Sequence, residues 1–166
     1  GASKKKKTSR RRQPLPMPEQ TRPTVDIQVE KAPGVAMPAM ATSGSAGYDL
    51  CASRHMVIAP HKFAMVPTGL RIAMPHGLEA QIRPRSGLAA KHGVTVLNAP
   101  GTIDSDYRGE VCIILINHGD NEFVIEPGMR IAQMVFAKVT EVEFRACNEL
   151  RSSDRGEGGF GSTGVR

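Results

Sequence analysis

The sequence predicts an all-β domain, a jelly-roll-like sandwich or barrel with one short helix and a flexible C-terminal arm. Three observations carry that expectation. Apolar and polar residues alternate over several short runs, turn signals recur at intervals of roughly eight to twelve residues, and a single stretch has helix-forming content. At 166 residues the chain is long enough for one domain with a real core and too short for two comfortable ones.

Taken in order, the chain opens on GASKKKKTSRRR, whose 12 residues hold seven Lys and Arg and no acid. That leaves 15 basic against 16 acidic residues in the remainder, so the formal net charge of +6 belongs to an appendage and the body is near neutral. A like-charge run is solvated because it has no apolar surface to bury; the same run also suits nuclear targeting or contact with a polyanion. Both readings stay open, and neither defines the domain's function. Gly1-Ala2-Ser3 reads as a cloning remnant. The linker QPLPMPEQTRPT completes an extension over residues 1–23.

Strands are expected from residue 24 onward. VDIQVE alternates Val25, Ile27 and Val29; GLEAQIR alternates Leu78, Ala80 and Ile82; EVCIILIN is apolar on both faces, as a central sandwich strand would be. The segments APGV, IAPH, VPTG, MPHG, NAPG, NHGDN and EPGM read as turns between antiparallel strands. SGLAAKHG, residues 86–93, is a helix of at most two or three turns. The β-rich body is expected over residues 24–147, followed by a glycine-rich arm over 148–166.

Several function classes are excluded at this level. There is no apolar run of 18 residues and no signal-peptide pattern, so neither membrane insertion nor secretion is expected. Cys51, Cys112 and Cys147 are odd in number and lack a CxxC pair, which favours reduced thiols in a cytosolic setting over disulfides or a zinc site. Aromatics make up 4% of the chain and tryptophan is absent, which argues against a nucleic-acid-binding sheet of stacked aromatics.

The chemistry sits in five segments. SAGYDL places Asp49 among small residues; RPRSGLA places Arg85 and Ser86 before the short helix; NAPGTIDSDYRGE presents Asp104, Asp106 and Tyr107 after a Pro-Gly turn; GMRIAQM carries Arg130 and Gln133; RGEGGFGSTG ends the chain. Each alone has an ordinary reading: an Asx-type cap, a solvated arginine, a loose glycine tail. Together they form an inventory for a polyphosphate. Ser86 and the free N–H groups of a helix start suit an anion, Arg85 and Arg155 can grip phosphate in bidentate fashion, and glycine-rich backbone can form an N–H nest. The carboxylates could hold a water or a hydrated magnesium.

In this order, over residues 46–164, the five segments resemble the five motifs of the homotrimeric dUTP diphosphatase (dUTPase) family. The resemblance implies a jelly-roll subunit, a trimer with three active sites shared between subunits, and Mg2+-dependent hydrolysis of dUTP to dUMP and pyrophosphate. It implies Asp104 as the general base that aims a water at the α-phosphorus, with Gln133 and Ser86 beside the reacting phosphate. Arg85 and Gly87 correspond to phosphate contacts, and Asp49 to the aspartate that holds magnesium through coordinated water. Asn98 and the hairpin backbone around Gly101 match the elements that read the uracil edge, and Tyr107 the tyrosine under the deoxyribose. By the same resemblance the arm closes over the nucleotide. Phe160 would stack on uracil while Arg155, Gly161, Ser162 and Thr163 meet the γ-phosphate side.

Two rivals remain at this level. A fold-related dCTP deaminase would also bind a pyrimidine triphosphate, and ammonia release from dCTP would reveal it; a nucleic-acid module working through the basic arm would show salt-dependent DNA binding without dUTP turnover. VLNAPGTIDSDYRGEV looks more like bacterial members of the family, which favours the cytoplasm, whereas the Lys/Arg arm would suit a nucleus if the source has one.

Overall fold

The computed structural model describes residues 24–165. The basic extension and its expected polyanion contact lie outside the described residues. Ten strands and one helix follow in the order β1 (Gln28–Lys31), β2 (Tyr48–Cys51), β3 (Met56–Ile58), β4 (Phe63–Ala73), β5 (Leu78–Arg83), α1 (Ser86–His92), β6 (Val94–Val96), β7 (Gly101–Ile103), β8 (Glu110–Asn117), β9 (Phe123–Ile125) and β10 (Arg130–Lys138). They form two four-stranded sheets, β1-β4-β8-β6 and β2-β10-β5-β7, with β3-β9 as a separate pair. Every pairing is antiparallel. The all-β, jelly-roll-like expectation therefore holds, including its single short helix.

Period-two alternation explains the core. Val66, Leu70 and Ile72 of β4 meet Ile113 and Leu115 of β8 on one inner face, and Leu50, Ala80, Ile82 and Met134 line the other, all in one buried cluster. Besides Thr68, one polar side chain is buried among the described residues, that of Asn117. Its amide donates to the Ile58 and Asn121 carbonyls and its oxygen accepts the Gly119 N–H, so burial leaves no group orphaned. The helix begins where RPRS ends and stops at Gly93, whose φ of 66° supplies the left-handed cap.

Two expectations are corrected. VPTG is not a turn: Pro67, Thr68 and Gly69 lie inside β4, at a register shift between Pro67 and Arg71. The Thr68 hydroxyl donates to the Val111 carbonyl and the Gly69 N–H to Glu110 Oε1, so side chains take over where the ladder is broken. The first strand is also shorter than its alternation. Only Gln28–Lys31 find partners, at Leu70–Ala73 of β4, and Val25 and Ile27 precede the ladder. After β10, residues 139–165 carry no helix or strand. Among the described residues no helix is long and apolar enough to cross a membrane.

Candidate active site

The β6–β7 connection, which crosses from one sheet to the other and so does not form the expected hairpin, and the loop after β7 form a wall of a cavity of about 270 Å³ lined by Ile82, Asn98, Gly101, Asp104 and Tyr107. Glycine at 101 eases a close approach, because a Cβ there would lie 3.2 Å from the Ile82 Cβ across the ladder. The Tyr107 N–H donates to the Asp104 carbonyl (3.1 Å) and its hydroxyl to the Glu110 carbonyl (3.0 Å), which fixes the ring against the loop. A Cβ on Gly109 would strike that ring. Among the described residues no hydrogen bond or ion pair engages the exposed Asp104 carboxylate, leaving it available to water.

A second group assembles on the neighbouring strands of the same sheet. Gln133 of β10 pairs with Asp49 of β2 on one side and Arg83 of β5 on the other. The Asp49 carboxylate lies between two guanidiniums, 3.5 Å from Arg85 Nε and 3.5 Å from Arg130 Nη1. Arg85 Nη1 also donates to the Arg130 carbonyl (3.2 Å), and Gln133 Nε2 to the Pro84 carbonyl (2.9 Å). Ser86 and Gly87 open α1 exposed to solvent, and no acid stands in its first turn. Two arginines against one carboxylate leave the group net positive, suited to an anion. Burial, then the Asp49 charge, pushes the neighbouring Cys51 thiol up.

The arm is brought to neither group. Past Glu141, among the described residues, its hydrogen bonds join only residues three or fewer apart, such as Arg155 Nε to the Gly158 carbonyl and the Ser162 N–H to the Gly159 carbonyl. Phe160 and Gly161 hold positive φ, and Phe160, Gly161, Ser162 and Thr163 are exposed. Five of the expected site residues thus lie apart from the other nine.

A family model described as dUTPase matches residues 34–164, spanning both groups and the arm. The chain belongs to the dUTPase family. It is 54% identical over 150 residues to a deoxyuridine 5'-triphosphate nucleotidohydrolase of Rhizobium rhizogenes, covering 87% of this chain and 96% of that one. A dUTPase of Staphylococcus bacteriophage 80alpha, solved with dUpNHpp, has a TM-score of 0.79 at 29% identity over 86% of this chain and 100% of that one. A variant dUTPase from phage phi11 of S. aureus, described with a structural Mg(II) ion, shares the fold alone, with a TM-score of 0.70 at 21% identity over 76% of this chain and 99% of that one. This dUTPase is accordingly a hydrolase acting on dUTP. Sequence reasoning gave no role to three residues that the structure brings to these two groups. Arg130 faces Asp49; Gly47 leaves room for Gln133, whose Oε1 would lie 2.5 Å from a Cβ there; Gly109 makes space for Tyr107. All three lie in the quoted motifs, and their role depends on cross-strand neighbours that a linear reading does not name.

Proposed function

We propose that this dUTPase hydrolyses dUTP to dUMP and pyrophosphate by attack of a water on the α-phosphorus, with Asp104 as the base that aims it. The observation that carries this reading is the unpaired Asp104 carboxylate on a cavity wall shared with Asn98, Gly101 and Tyr107. In that cavity Asn98 and the backbone at Gly101 would read the uracil edge, with Tyr107 under the deoxyribose. Arg85, Ser86, Gly87 and Gln133 would hold the phosphates. Attack builds negative charge on phosphate oxygens, so fixed positive charge and positioning supply most of the acceleration.

Magnesium fits the residues in a limited way. Among the described residues no three His, Cys, Asp or Glu side chains gather into a metal cage. Magnesium instead keeps several waters and takes one or two carboxylates together with substrate phosphates. Asp49, the one carboxylate of the cationic group, can meet it through a coordinated water. Bound to the triphosphate, the ion would neutralise charge on the leaving pyrophosphate.

The working unit we propose is a homotrimer. The outer face of the β1-β4-β8-β6 sheet is apolar where Phe63 pairs with Ile116 and Met65 with Ile114, and Phe63 and Met65 remain 64% and 61% exposed in one chain. Such a face supports burial against another subunit. The unplaced arm, with its exposed Phe160, supports closure over a neighbour's site by residues 148–166, Arg155 and Thr163 among them. The three free cysteines fit the reducing cytoplasm, where the reaction keeps uracil out of DNA and supplies dUMP for dTMP synthesis.

Pyrophosphate release from dUTP, set against dTTP, dCTP and UTP, tests the assignment. Polar groups on the uracil edge and tight packing around C5 would reject thymine and cytosine, and Tyr107 under the sugar would disfavour a 2′-hydroxyl. Strong preference for dUTP is expected. Comparable turnover of all four would overturn the assignment.

A further inference from the structure

Strand β10 does not alternate evenly. Met134, Gln133 and Ala132 pair in one register with Tyr48, Asp49 and Leu50, but Arg130 then pairs with Cys51, where that register would have given Ala52. Two residues of β10 therefore oppose one of β2, a β-bulge. Its effect appears in the burial. Ile131 and Ala132 are consecutive and both buried, at 1% and 0% exposed, so the inward-facing parity changes between them. In an unbroken strand residue 130 would share the core face of Ala132 and Met134. The bulge turns it to the face of Gln133 and Asp49, which is how bulges beside sites re-aim a side chain. There the Arg130 guanidinium meets Asp49 Oδ2, while Arg85 Nε meets Oδ1 and Arg85 Nη1 meets the Arg130 carbonyl.

We infer that Arg130 is a positioning residue, turned outward by the bulge so that Asp49 stays held when Arg85 is drawn to the substrate phosphates. The inference rests on the roles proposed above for Asp49 and Arg85. A polyphosphate attracts Arg85 and repels Asp49. A carboxylate paired with Arg85 alone would lose its partner at the moment the phosphates arrive; Arg130, on its other oxygen, keeps it in place.

The test is calorimetric binding of dUpNHpp to the full chain, with and without Mg2+, for Arg130→Gln, Arg130→Lys, Asp49→Asn and the Arg130→Gln/Asp49→Asn double variant. A partly exposed ion pair of this kind is worth up to about fivefold in affinity. Arg130→Gln should weaken binding by about that factor in Mg2+ and much less without it. Arg130→Lys should recover part of the loss, and the double variant should bind no worse than Asp49→Asn alone, since both changes remove one device. Equal losses with and without Mg2+, or losses that multiply in the double variant, would overturn the inference, because Arg130 would then act on the nucleotide or the fold independently of Asp49. If Asp49→Asn itself showed no Mg2+-dependent loss, the role proposed for Asp49 would be what failed, and the inference about Arg130 would fall with it. Arg130→Lys carries the test should Arg130→Gln prove unstable: retained Mg2+-dependent binding supports the inference, and an equal loss with and without Mg2+ opposes it.

Discussion

Asp104 and Asp106 stand two residues apart in one loop, yet only Asp104 lines the cavity. Asp104→Asn keeps the size and most hydrogen bonding of the side chain but cannot take a proton. Steady-state turnover of dUTP should fall at least ~10²-fold, with little change in dUpNHpp affinity. Asp106→Asn should cost far less, and reversed costs would move the base to Asp106. The cysteines differ in a way that sequence could not anticipate. Burial and the hydrogen bond to Glu110 push the Cys112 thiol up to about 11, whereas Cys147 is exposed. Iodoacetamide at pH 8 should therefore modify Cys147 well before Cys112, followed by peptide mass. The sign for stability follows from the same shift. Well below its ordinary titration near 8.5 to 9 the thiol is protonated whether the chain is folded or not. Between about 9 and 11 it ionises first in the unfolded chain, so alkali draws the equilibrium towards unfolding.

At the scale of the element, proline and glycine inside an apolar run mark either a turn or a bulge, and the letters do not choose between them. In β4 the choice is made by β8, which supplies the Val111 carbonyl and Glu110 carboxylate that satisfy Thr68 and Gly69. Gly69 has φ of 72°, and a Cβ there would come within 2.8 Å of Val35 Cγ2. Gly69→Ala should thus lower stability by about 1 kcal/mol or more through strain and crowding. Chemical denaturation checks this, with turnover by the folded fraction expected near normal. The bulge in β10 has the same origin. GMRIAQM announces a strand, but only pairing with β2 turns Arg130 outward.

At the scale of the molecule, EVCIILIN reads as a strand buried on both faces, and one chain buries only one of them. Val111, Ile113 and Leu115 enter the core, while Cys112, Ile114 and Ile116 stay half-buried beside Phe63 and Met65. Native mass spectrometry should find trimers. In the trans arrangement, base and arm at one site come from different subunits, so dead variants should complement. Asp104→Asn with its arm intact, and a chain ending at Asp154 with its base intact, should each be nearly inactive. Refolded together in equal amounts, random trimers from a closed three-fold assembly would regain about a quarter of wild-type activity. Mixed trimers, confirmed by mass, that stay dead would show that the arm serves its own subunit. Deleting residues 1–12 should leave dUTP turnover near normal and abolish any salt-sensitive DNA binding. A large loss of turnover would instead tie the basic run to the active site.

Alternation, turn residues and the five motifs were enough by themselves to determine an all-β fold, one short helix and the dUTPase family, because these are properties of residue order: a face is set by period two, and a motif by its spacing. They also named Asn98, Asp104 and Tyr107, which lie within ten residues of one another and so reach one cavity wall through a single short stretch of chain around β7. Only the tertiary structure decided that Asp49, Arg85, Arg130 and Gln133, drawn from β2, the start of α1 and β10, form one cationic group. Their approach is set by strand register and by a one-residue bulge, and register depends on which strands pair, a choice made by the whole core and not by any segment of it.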